Sequence, residues 1–128
     1  MKTNVILTVT SLLTILFITF HVADDIARGM EPGGLSDLLA LVPVLVVFLF
    51  GTLVLAGRRS GYIIIFLGSL LGAVVPVIHM KGNGVGAIAK TSGGFFFVFT
   101  LLALGVTSVF SLVLSVCGLW GLRRGQPR

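Results

Sequence analysis

The chain has 128 residues, 56% of them hydrophobic and only 10% charged, with a mean hydropathy of +1.16. A soluble domain of this size carries about a quarter charged residues, so the composition excludes an ordinary water-soluble fold. The net charge of +5 is not gathered in a basic run or on a basic helix face, which argues against nucleic acid as the partner, and a single cysteine, Cys117, excludes chemistry that needs paired thiols.

The charged residues leave four uninterrupted gaps, at 3–23, 38–57, 60–80 and 91–122. Each can cross a hydrocarbon core of about 30 Å as a helix of about 20 residues. The sequence therefore predicts an all-α integral membrane protein, a four-helix bundle of up-down-up-down order forming one membrane domain. The expected spans are about 4–23, 38–57, 61–80 and 95–122, with outer loops 24–37 and 81–94, an inner loop 58–60 and an inner tail 123–128. Too little chain remains for a separate catalytic domain, so a non-enzymatic role is expected.

The first apolar run is longer than the core of a signal peptide, and the one plausible cleavage point after Ala23 would place His21 where a small residue is wanted. A retained helix is expected. The second span carries Pro43 one turn in and ends at Gly57, Arg58, Arg59, Ser60 and Gly61, a connection short enough to force an antiparallel hairpin with span three. The third holds Pro76 near its end, where a kink is expected. The loop from Lys81 to Lys90 alternates glycines but lacks a phosphate-loop motif, and reads as a flexible segment with a short apolar stretch. The fourth span exceeds the minimum length and should tilt or project.

Lysine and arginine in short loops are retained on the cytoplasmic side. Lys2, Arg58, Arg59, Arg123, Arg124 and Arg128 fall on one side, and only Arg28, Lys81 and Lys90 on the other. Both termini are therefore expected inside a bacterial-type plasma membrane, with Tyr62 and Trp120 as interfacial aromatics beside the two arginine pairs.

Superposing the third span on the first at a shift of 58 aligns Ser11-Leu12-Leu13 with Ser69-Leu70-Leu71 and His21 with His79. Each histidine is followed by a loop with a Gly-Gly pair, another span and an Arg-Arg pair. This reads as two helical hairpins in parallel orientation, an arrangement found in transporters. Gly68 and Gly72 make a G-x-x-x-G on span three, and Ser108, Ser111, Ser115 and Gly118 recur at intervals of 3, 4 and 3 on span four, a pattern suited to close helix packing.

The densest chemistry is His21-Val22-Ala23-Asp24-Asp25-Ile26-Ala27-Arg28. On a continuing helix His21 shares a face with Asp24 at i,i+3 and Asp25 at i,i+4. One reading joins His21, Asp24 or Asp25, and His79, with Glu31 or Asp37 in reserve, into an outer site for zinc, copper or iron. A variant uses the two histidines as axial haem ligands. The competing reading pairs both aspartates with Arg28 and leaves the histidines bonded to backbone carbonyls, and it is the weightier one from sequence, since two histidines without a recognised spacing are a weak signal.

In size and hydropathy the chain is similar to the small multidrug-resistance transporters. Those carry a carboxylate in the first helix, where Thr10 and Thr14 stand here, and the four spans as drawn contain no Asp, Glu, Lys or Arg. The residue on which that mechanism depends is missing. The leading functional expectation is a scaffold or accessory subunit that contacts lipid and associates with itself or a larger membrane complex. An oligomeric transport unit comes second, and a metal or haem protein third, with the cofactor left unknown.

Overall fold

A computed structural model describes residues 2–30, 33–81 and 84–125. Among them every regular element is helical: α1 Lys2–Ala27, α2 Leu35–Leu53, α3 Arg59–Lys81, α4 Gly84–Ile88 and α5 Gly94–Arg123. Glu31 and Arg128 lie outside the described residues, as does the Gly82-Asn83 pair of the second outer loop; of Asp37 only the backbone is described.

Three helices, Thr3–Ala27, Arg59–Lys81 and Gly94–Arg123, are long and apolar enough to cross a membrane, while α2 contributes a shorter apolar stretch, Leu39–Leu53. Their outward faces carry large apolar side chains, among them Val9, Leu70 and Phe110, each more than 40% exposed. Water does not tolerate such continuous apolar surface, and lipid does. Threonines within α1 return their hydroxyls to the helix itself: Thr8, Thr14 and Thr19 each donate to the carbonyl four residues back. In an apolar solvent this keeps both the side chain and the segment satisfied.

Helix α5 packs along both α1 and α3 and runs antiparallel to them, its Phe97 beside His21 and His79 and its Gly118 against Tyr62. The seam between the three is polar and small: Ser11, Thr14, Ser69, Thr100, Ser108, Ser111 and Ser115 are all fully buried. Helix α2 lies more peripherally, with Phe48 over Gly68 and Gly51 against Ile64 of α3. The two glycines of the G-x-x-x-G thus serve different neighbours. Gly68 admits the Phe48 ring, whereas Gly72 lets Ser108, Leu104 and Thr14 approach, because residues four apart on a helix are rotated by about 40° and can meet different partners.

The connection between α2 and α3 differs from the expectation. α2 stops at Leu53, where the Val54 and Leu55 amides both turn back to the Phe50 carbonyl, and helix resumes at Arg59. Gly57 takes a left-handed φ of 73°, and a side chain at Gly61 would strike the Leu55 carbonyl, so the glycines set how tightly the chain reverses. Tyr62 also departs from its expected interfacial position. It is 6% exposed and donates its hydroxyl to Asn4 Oδ1 at 2.6 Å, turned inward because Gly118 leaves room for the ring. Between α3 and α5 the apolar stretch forms the single-turn helix α4 rather than irregular chain.

Candidate metal centre

α1 does not stop at the last apolar residue. It continues to Ala27, which keeps His21, Asp24, Asp25 and Arg28 in helical register. The first span drawn from charge gaps ended at Ala23, so it missed that a carboxylate enters the bundle: Asp25 is 2% exposed and His21 1%. A buried ionisable group in a membrane helix marks a functional site by default, because its desolvation must be offset by a partner.

The partners converge from two helices. His21 Nε2 and His79 Nε2 each lie 3.5 Å from Asp25 Oδ2. The three residues can each offer a ligand atom such that all three atoms lie within 4.8 Å of one another. Phe97 closes the cluster from α5, its ring centroid 5.0 Å from that of His21 and 5.8 Å from that of His79. The site is buried on the His21 and Asp25 side and partly open at His79, whose side chain is 23% exposed.

Two details bear on what the cluster can hold. His79 Nδ1 sits 2.9 Å from the Val75 carbonyl. A carbonyl only accepts, so Nδ1 carries a proton, which leaves Nε2 to face Asp25 as a lone pair when the ring carries no second proton. Such a second hydrogen bond is how metal-bound histidines are held in orientation. Neither nitrogen of His21 has a hydrogen-bond partner among the described residues. An imidazole nitrogen 3.5 Å from a carboxylate oxygen can share a proton with it or join it in ligating a metal ion. A tetrahedral ion with bonds of about 2.0 Å separates its ligand atoms by about 3.3 Å, close to the two spacings here.

The two aspartates divide between the alternatives weighed from sequence. Asp24 leaves the candidate set: its Oδ2 accepts from Arg28 Nε at 2.6 Å. Arg28 in turn donates to Thr91 Oγ1 at 3.1 Å and to the Ser92 carbonyl at 3.4 Å, and stands 5.9 Å from the Phe97 ring centroid. Arg28 thereby ties the end of α1 to the loop leading into α5. His21 and His79 meet edge to face with ring centroids 4.8 Å apart, which leaves no slot for a porphyrin disc between them.

Sequence nominated Asp25 together with its neighbour Asp24 and did not connect Phe97, one of the run Phe95-Phe96-Phe97-Val98-Phe99, with the site. No known protein family, characterised protein or solved structure matches the chain, so its chemistry is read from this geometry.

Proposed function

We propose that the protein is a multi-pass membrane protein that binds one divalent first-row transition-metal ion through His21, Asp25 and His79 at the outer end of its bundle. The observation that carries this reading is the convergence of two Nε2 atoms on one buried carboxylate oxygen, 3.5 Å from each. Two imidazoles and a carboxylate are the donor set of many zinc sites and of non-haem iron(II) sites, and three protein ligands leave a coordination position open. The ligands come from α1 and α3, so the ion fastens two helices to each other. This suits a non-enzymatic accessory or scaffold subunit whose assembly depends on metal.

In this reading all four long helices cross the membrane, with both termini inside a bacterial-type plasma membrane; the clustering of arginines at one end and acids at the other supports that orientation. The pairing of Asn4 with Tyr62 and the proximity of His21 to His79, each pair 58 apart, support an origin in two parallel helical hairpins.

Cobalt(II) titration of metal-free protein in detergent tests the metal reading. The expected result is one equivalent of cobalt with visible d–d bands, displaced by zinc and absent from His79→Ala. A wild-type titration with no stoichiometric spectrum would overturn it and leave a proton as the cation between the ligands.

A further inference from the structure

The opposite end of the bundle carries a second cluster. A groove of about 560 Å³ opens between the start of α3 and the end of α5, bounded by Arg59 and Arg123 with Ile63, Leu119 and Leu122 along its floor. A smaller groove of about 270 Å³ adjoins it, sharing Leu119 and Arg123 and reaching Val116 and Trp120.

Among the described residues neither Arg59 nor Arg123 is in an ion pair. Asp24, Asp25 and the Asp37 position all belong to the outer end, and among the described residues the only arginine in an ion pair is Arg28. Arg124 is engaged differently, its guanidinium 3.8 Å above the Trp120 ring. Arg59 and Arg123 flank the groove with neither arrangement. Because α3 begins at Arg59, the unpaired amides and positive dipole end of that helix add to the same potential. Two cations above an apolar floor that runs toward the lipid-facing surface complement a phosphate attached to acyl chains. Basic pockets between membrane helices hold anionic headgroups in this way.

We propose that the Arg59–Arg123 groove is a binding site for one anionic phospholipid, with its phosphate between the two guanidiniums and its chains along Leu119, Leu122 and Ile63. The site rests on the bundle lying in a membrane and is independent of the metal centre.

Trp120, the one tryptophan of the chain, borders the adjoining groove and serves as the probe. The intact protein is reconstituted in vesicles containing brominated phosphatidylglycerol or brominated phosphatidylcholine, and quenching of Trp120 gives the relative binding constant. Salt of about 1 M shortens the screening length to about 3 Å and suppresses diffuse attraction. The expected result is a clear preference for phosphatidylglycerol. Arg59→Gln and Arg123→Gln should each cut it by up to about fivefold, on the scale of one base near an anionic headgroup, and Arg58→Gln, which lies outside the groove, by less than about twofold on the same scale. Equal losses from Arg58→Gln and Arg59→Gln, or no preference in the wild type, would overturn the site. Displacement by millimolar glycerol phosphate would assign the groove to free phosphate and overturn the lipid. Quenching by brominated phosphatidylcholine reports membrane embedding separately, in every variant.

Discussion

The two ends of the bundle join the same three helices and use residues in the same register, yet they differ in what they satisfy. At the inner end Asn4 and Tyr62, 58 apart, close on each other in a hydrogen bond of 2.6 Å, and the Tyr62 ring fills the space above Gly118. At the outer end His21 and His79, also 58 apart, face Asp25 across 3.5 Å, and His21 makes no hydrogen bond among the described residues. A complementary donor and acceptor finish the inner pair. At the outer end two imidazole nitrogens meet one carboxylate oxygen, the donor set on which the proposed metal site rests. Positions 58 apart thus close on each other at one end and converge on a carboxylate at the other.

This contrast can be broken from either side. The largest effect is expected from removing a ligand: Asp25→Asn or His79→Ala should weaken zinc binding by more than about 100-fold, beyond the 10- to 100-fold typical of losing an outer-shell partner, measured by competition with a chromophoric chelator. At the inner end, Gly118→Val would drive methyl groups into the Tyr62 ring. It should destabilise the bundle by about 2 kcal/mol or more in a detergent-unfolding titration, as overpacking of a filled site does. Tyr62→Phe keeps the ring and removes only the hydrogen bond, so a loss of about 1 kcal/mol is expected with zinc affinity unchanged. The smallest effect belongs to Asp24→Asn, which disturbs a partly exposed ion pair worth at most about 1 kcal/mol and should change zinc affinity by less than about threefold. A larger change from Asp24→Asn than from Asp25→Asn would reverse the assignment of the two carboxylates.

Much of the fold was legible because membrane helices are written in charge-free length. The gaps located three long apolar helices to within a few residues, and the shift of 58 brought His21 into register with His79. What the gaps could not mark was helix that continues past them. α1 runs on to Ala27 because Asp24 can pair with Arg28 and Asp25 can turn into the bundle, and neither fact changes hydropathy. The choice between adjacent aspartates is a rotation of about 100° about the helix axis, fixed by packing against α3 and α5 rather than by spacing. Tyr62 and Phe97 turned inward for a related reason. An aromatic near a helix end has the same composition whether it faces lipid or core, and only a neighbour such as Gly118 on another helix decides. The early end of α2 at Leu53 was hidden because Val54 and Leu55 are as apolar as the helix they leave.

The most direct test of the metal centre is the metal content of the intact protein after purification from membranes and exposure to zinc, wild type beside Asp25→Asn. The account predicts about one zinc per chain in the wild type and none in the variant, with helix content unchanged. Equal zinc in both, or none in either, would contradict it.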